Sequence, residues 1–317
     1  MTAGDPADRD AALEDEHERN TELLRTELPN YRLADRAYLR WLYDENPIGH
    51  AIRRQVDDDN GLRIAHYAMI PQRYRGPDGT VPAAFSLHAV VRTGTQRRGL
   101  FRQLGQEVID AAGAAGWQFA SGVCNEKSIG TVVKYLDWKT PGPLPVRICL
   151  PVSLGRGAQS YAVDDAFRAG PLLDLAADLD TFPVRQWTNS YSPDYLAWRL
   201  GCPHASYAVH VTDELLGVST TDTRFGVRAA VILKLLPRDG RSGLLGSDAI
   251  VGAACRFHRA PYAVYAGFNE HVRVRGFQPP RRLQPSPLHL ILRSFSPTVD
   301  QDALRLDTFE FLDMDAY

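Results

Sequence analysis

Val90-Val91-Arg92-Thr93-Gly94-Thr95-Gln96-Arg97-Arg98-Gly99-Leu100-Phe101 carries an apolar strand through a short loop directly into a helix. The strand signal spans 83–91, and Leu100, Leu104, Val108, Ile109 and Ala112 recur at helical spacing over 99–116. The first backbone N–H groups of a helix have no intrahelical partner and lie at the positive end of its dipole, so this junction reads either as a cradle for a pyrophosphate or as an ordinary strand–helix turn with solvated arginines. Gly99 lets the backbone approach closely, and Arg97, Arg98 and Arg102 can add charge-assisted contacts.

On the upstream side, Asp35 stands as an N-cap before Tyr38, Leu39, Trp41, Leu42 and Tyr43, a helix stopped at Asn46-Pro47-Ile48-Gly49. Strands follow over 50–56 and 62–70. Downstream come a short strand over 117–124, a helix over 126–136, a Pro/Gly linker at 140–145 and a strand over 146–152. The order then repeats in outline. Tyr195-Leu196-Ala197-Trp198 echoes Tyr38-Leu39-Arg40-Trp41. A strand over 229–236, a turn at Pro237-Arg238-Asp239-Gly240, a helix over 244–258 and a strand over 262–268 ending in Asn269-Glu270 match the first series. Strands over 288–295 and 308–312 close the chain. The expected architecture is α/β (α+β): a polar tail over 1–30, its first twenty residues read as tail or frayed helix, one mixed-sheet domain over 31–150 and a second over 160–317.

Composition bounds the function. The 317 residues carry 36 basic and 38 acidic side chains, a formal charge of −2, which gives no electrostatic case for a nucleic-acid partner. Only four basic residues are lysines (Lys127, Lys134, Lys139, Lys234), a bias that reads as compositional outside the loop. No apolar run approaches the ~18 residues of a membrane span, and the first twenty residues lack a signal-peptide pattern. Cys124, Cys149, Cys202 and Cys255 are scattered, and His204, His210, His258, His271 and His289 show no ligand spacing. The expectation is a cytoplasmic protein with neither a metal nor a membrane partner; oligomeric state is left open.

The loop resembles the coenzyme A loop of the GNAT (GCN5-related N-acetyltransferase) superfamily, Gln/Arg-x-x-Gly-x-Gly/Ala, with Gln96, Gly99 and Phe101 at the three positions. Phe101 replaces the final Gly/Ala. Val123-Cys124-Asn125-Glu126-Lys127-Ser128, ending in Leu136-Asp137-Trp138, is similar to the family's Asn-x-x-Ala…Leu-Gly-Phe segment. Trp41-Leu42-Tyr43, followed by Asn46-Pro47 and Gly49, also resembles a bacterial subgroup, so the likeness covers about 34–139.

The resemblance implies a tandem GNAT arrangement in which the first copy binds acetyl-CoA or another acyl-CoA as cosubstrate. Val90 and Val91 would lie along the pantetheine arm. Gln96, Arg97, Arg98, Gly99, Leu100, Phe101 and Arg102 would hold the pyrophosphate, with Asn125 and Ser128 beside the thiol end. A small-molecule amine, such as an amino sugar or natural-product intermediate, would attack the thioester directly. Alternation along Ser86, His88 and Val90 makes His88 the titratable group on one strand face, either the base or a partly buried structural histidine, and the resemblance favours the base. The family's Tyr acid, about seven residues beyond the Asn, falls on Val132 or Val133, leaving Tyr135 as the substitute. In the second copy Pro237 lacks an amide donor and Asp239 repels phosphate, so that copy is expected to lack a phosphate loop and to wall the acceptor pocket. Trp41, Tyr43, Asn46, Trp187, Tyr191, Tyr195 and Trp198 are pocket or core candidates, and Asp313 to Tyr317 is either a solvated tail or a segment within reach of a cationic acceptor. An aminoacyl-tRNA or carrier-protein donor, or a non-catalytic sensing role, are the alternatives.

Overall fold

A computed structural model of the chain describes residues 6–28, 34–95, 99–153, 157–224, 226–238, 240, 243–280 and 286–314. In chain order the helices are α1 (Pro6–Glu27), α2 (Arg36–Asp44), α3 (Leu100–Ala114), α4 (Glu126–Leu136), α5 (Asp165–Ala169), α6 (Pro171–Ala176), α7 (Pro193–Arg199) and α8 (Asp248–Phe257). The strands β1 (Ile52–Asp57), β2 (Arg63–Gly76), β3 (Gly79–Val91) and β4 (Phe119–Asn125) build most of a first sheet. β5 (Lys139–Pro143), β6 (Val146–Cys149), β7 (Gln159–Ala162) and β8 (Thr188–Asn189) occupy the middle of the chain. β9 (Ala208–Val211), β10 (Leu215–Arg224), β11 (Val227–Pro237), β12 (Leu245–Gly246), β13 (Ala263–Asn269), β14 (Val272–Arg273), β15 (Leu288–Ser294) and β16 (Thr308–Glu310) complete it.

Two seven-stranded mixed sheets result. The first runs β1-β2-β3-β4-β15-β5, with β8 on β2; the second runs β16-β13-β11-β10-β9-β7, with β6 on β13. Each has an antiparallel hairpin (β2/β3, β10/β11) whose second strand pairs in parallel with the strand after a helix (β4, β13). The helices cover these sheets because their apolar stripes need burial: Leu104, Val108 and Ala112 of α3, and Ile250, Val251 and Ala254 of α8, are at most 3% exposed.

The sheets do not respect a cut of the chain at 150–160. β15, from the C-terminal half, pairs with β4 from Ser294↔Phe119 to Leu288↔Asn125 and completes the first sheet. β6, from the N-terminal half, pairs with β13 from Cys149↔Ala263 to Val146↔Ala266. The Pro/Gly segment 140–145, expected as a linker, is largely the edge strand β5, where prolines cost no ladder bond on their open side.

Of the two readings of the N-terminal segment, tail or helix, the structure has the helix, and it is docked. α1 is polar on most of its surface, but one stripe of it, His17, Asn20, Thr21, Leu23 and Leu24, is buried. His17 Nε2 meets Asp44 Oδ2 at 2.7 Å, and Asn20 accepts a hydrogen bond from the buried Arg63 guanidinium. A narrow stripe is enough to dock a helix whose average hydropathy is low.

Trp41 and Trp198, at matching places in the two repeats, stack at 4.7 Å between ring centroids with planes 19° apart. Each indole donates to the other's carbonyl: Trp41 Nε1 to Trp198 O at 3.0 Å and Trp198 Nε1 to Trp41 O at 3.2 Å. The helices carrying them start alike. Asp35 accepts the Tyr38 N–H at the cap of α2, and Ser192 accepts that of Tyr195 at the cap of α7. The two repeats therefore meet through equivalent helices.

Candidate functional site

The β3/β4 ladder is short: Ala84↔Ala120, Phe85↔Ser121 and Ser86↔Gly122, and nothing beyond. β3 departs because it bulges. Opposite β2, His66 pairs with Val90 and Ala68 with Leu87, so His88 and Ala89 together face the single residue Tyr67. His88 takes the left-handed backbone at φ 52°, a conformation that costs a non-glycine residue energy and re-aims its side chain. Past Ser86 the two strands splay, and a cavity of about 390 Å³ fills the wedge. Leu87, His88, Ala89 and Val90 form one wall, Val123, Cys124 and Asn125 the other, with Phe101, Ser128 and Val132 beyond.

Gly99 caps α3 in the left-handed conformation (φ 73°, ψ 5°) with no side-chain cap, and a Cβ there would meet open space. The amides of Leu100, Phe101 and Arg102 thus begin a 15-residue helix at the mouth of the wedge without side-chain partners from a cap.

His88 belongs to a buried chain of hydrogen bonds. The Tyr43 hydroxyl lies 2.6 Å from His88 Nδ1 and 3.0 Å from His66 Nε2. One hydroxyl proton serves two imidazoles, so their tautomers are linked. When His88 Nδ1–H donates to Tyr43, Tyr43 donates to His66 Nε2 and His88 Nε2 keeps its lone pair. Burial, then the nearby His88, holds the His66 pKa well below the usual histidine value, so His66 stays neutral and ends the chain. On the cavity floor Tyr67 Oη lies 2.9 Å from Ser86 Oγ, and burial pushes the Tyr67 hydroxyl up to about 12. Burial likewise pushes the Cys124 thiol up to about 11, which leaves it un-ionised.

A search of protein-family models found no match, and none was found among curated proteins. Among solved structures the chain is similar to an Enterococcus faecalis protein described as a probable N-acyltransferase, with a TM-score of 0.60 at 10% identity, covering 89% of this chain and 70% of that one. A GCN5-related N-acetyltransferase from Anabaena variabilis gives a TM-score of 0.58 at 10% identity, covering 89% and 71%. Eis1 from Mycobacterium abscessus gives 0.52 at 15% identity, covering 89% and 72%. The chain has the GNAT fold, twice over. The splayed strands and the helix N-terminus at their mouth sit in the first GNAT domain.

The expected site residues distribute unevenly in this GNAT frame. His88, Val90, Phe101, Asn125 and Ser128 line the cavity, while Val91 pairs with Ala65 outside it. Leu100 packs into the core under α3, and Arg102 is exposed. Gln96, Arg97 and Arg98 lie outside the described residues. The Asn125 side chain is occupied as the α4 cap, accepting from the amides of Lys127 and Ser128 at 3.0 Å and from Ser128 Oγ at 3.1 Å.

Tyr135 is not brought to the site. Val132 and Leu136 form the buried face of α4, and Tyr135 is a helical step off it, 46% exposed beside Lys134. The aromatic candidates Trp41, Tyr43, Tyr191 and Tyr195 are buried core, and Asn46 is tied to the Pro71 carbonyl. Trp187 and Trp198 are half-buried and pack against the same core. Sequence reading missed Tyr67, Ser86 and the Tyr43–His66 relay. Ser86 had a signal, since alternation places it on the His88 face; the others are joined only by strand register.

The second GNAT domain repeats the wedge and then closes it. Leu233 is the bulged residue opposite Val218 and Ser219, and the β11/β13 ladder ends at Ile232↔Tyr265. The gap beyond is taken by β16, which pairs Thr308–Glu310 with Gly267–Asn269. Gly267 (φ 118°) admits no side chain there, because a Cβ would come within 2.1 Å of the Phe309 carbonyl. Lys234, four residues beyond Ala230 as His88 is beyond Ala84, binds Asp313 at 2.7 Å and Glu310 at 3.1 Å. Asp313 also accepts from Tyr191 at 2.9 Å and Asn189 at 3.2 Å. Asp313 is therefore buried and fully engaged, correcting the expectation that it reaches a cationic acceptor. Residues 315–317 lie outside the described set.

Among the described residues no group of three or more His, Cys, Asp or Glu side chains could hold a metal ion, and no helix is long and apolar enough to cross a membrane.

Proposed function

We propose that the protein is an N-acyltransferase that moves an acyl group, foremost acetyl, from acyl-CoA to the amine of a small molecule. One observation carries the reading: the β3/β4 ladder stops at Ser86↔Gly122 and the two strands diverge around a cavity that has His88 in its wall. The cosubstrate fits what surrounds that wedge. An extended pantetheine arm can pair with the backbone of Leu87–Val90, and the amides of Leu100, Phe101 and Arg102 suit a pyrophosphate. Acyl-CoA supplies an activated thioester.

The chain's own residues supply position and proton handling. The acceptor nitrogen attacks the thioester carbonyl carbon; the C–N bond forms and the C–S bond breaks, giving amide and CoA thiolate. His88 Nε2 takes the proton lost by the amine, and the Nδ1–H bond to Tyr43 holds the ring in the base-competent tautomer. The Tyr67 hydroxyl, bonded to Ser86 on the cavity floor and kept protonated by burial, is a hydrogen-bond donor for the departing thiolate, which takes its proton from the His88 imidazolium formed in the attack. The second domain takes no part in coenzyme binding, because β16 occupies its wedge.

The test is calorimetric titration of acetyl-CoA, followed by thiol release with a panel of amines. Micromolar binding and turnover are expected. His88→Asn, which tolerates the left-handed backbone, should lower kcat about 10²–10⁴-fold with CoA affinity intact. Absence of any CoA binding would overturn the reading, and binding without turnover would mark a ligand-sensing module instead.

A further inference from the structure

A second cavity, of about 620 Å³, opens beside the first and shares Leu288 and Met314 with it. It lies where the two sheets exchange strands, between the 143–146 connection, β13, the start of β15 and the 3-10 turn Phe311–Asp313. Its described lining contains no Asp, Glu, Lys, Arg or His side chain. Four prolines (Pro143, Pro145, Pro279, Pro287) and apolar side chains make most of the wall, and Gln278 and Ser286 are its polar side chains.

Among the described residues, the carboxylates near this cavity are engaged elsewhere. Both oxygens of Asp313 are held by Lys234, Tyr191, Asn189 and the Glu310 amide, and Glu310 lies against Lys234 in the closed second wedge. The Met314 carbonyl at the junction of the cavities accepts from the buried Arg199 guanidinium. A polycation entering here would shed water around each ammonium with no anion among the described walls to replace it. A compact apolar group would lose nothing of the kind, and proline-rich walls are stiff enough to be preformed.

Resting on the acyltransferase reading, we infer that this cavity takes the acceptor, and that the acceptor is a monoamine with an otherwise uncharged, largely apolar body, not a polyamine or a polycationic aminoglycoside. The single amine points through the Leu288–Met314 junction toward His88, and the apolar body fills the proline-walled space.

The experiment is calorimetric titration of the full chain with 4-phenylbutylamine and with spermidine, each with and without saturating CoA. The expected result is at least tenfold tighter binding of the arylalkyl amine. Equal or tighter binding of spermidine overturns the inference. Gln278 is exposed on the wall, so Gln278→Glu should narrow the ratio several-fold without disturbing the core; an unchanged ratio also overturns it. The CoA titration reports separately on the acyltransferase reading. Amine preference measured without CoA stands or falls independently of it.

Discussion

Trp41 and Trp198 exchange hydrogen bonds as well as ring faces, each indole N–H reaching the backbone carbonyl of the other residue. Two four-residue segments that look alike in sequence thus become one symmetric joint. Replacing either indole by phenylalanine removes one hydrogen bond, about 1 kcal/mol, and spoils the stack. A double-mutant cycle on Trp41→Phe and Trp198→Phe, read by denaturant unfolding, should show a coupling of about 0.5–1.5 kcal/mol. Additive losses would mean the two rings act as separate core residues.

Lys234 is fully buried between Asp313 and Glu310. Lys234→Met strands two carboxyl groups in the interior and should cost roughly 3–5 kcal/mol. Neutralising the partners as well, with Lys234→Met, Glu310→Gln and Asp313→Asn combined, should recover most of that loss. Melting temperatures of the two variants decide the point.

The dependence of stability on pH follows from buried groups of opposite kinds. Burial, then His258, holds His210 at about 3, and burial holds His66 well below its usual value. Both bind protons more readily when unfolded, so their contribution is complete above about pH 6.5 and is lost as pH falls toward their folded values. Glu310 runs the other way. Burial raises it to about 7, so it favours the unfolded state increasingly as pH rises from about 4.5 to 7. Two histidines outweigh one carboxyl, and stability should fall on acidification from pH 6.5 to 4.5. His210→Gln should flatten that slope by roughly 1.4 kcal/mol per pH unit.

Phe101 stacks on Tyr67 at 6.1 Å and lines the wedge. Phe101→Ala should remove that wall and weaken CoA binding several-fold, read by calorimetric titration. Unchanged affinity would place the coenzyme away from the start of α3.

Tyr135→Phe serves as the contrast to Tyr67→Phe. The first, on the exposed face of α4, should leave kcat within twofold of wild type. The second removes the hydroxyl on the cavity floor and should lower kcat at least tenfold.

Local chemistry was readable before the structure. The Asp35 cap, the apolar stripe of α3, the glycine opening that helix and the repeated Tyr-Leu-x-Trp segments all act within a few residues, where spacing translates directly into geometry. Alternation along β3 likewise singled out His88. Tertiary structure decided what spacing cannot encode. Register across β2 and β3 creates the bulge that turns His88 toward the wedge and joins it to Tyr43 and His66. Helical phase on α4 sends Tyr135 outward, and the crossing of β15 and β6 between sheets makes the second cavity from segments over a hundred residues apart. Those outcomes depend on which surfaces become buried together, and burial is a property of the whole chain.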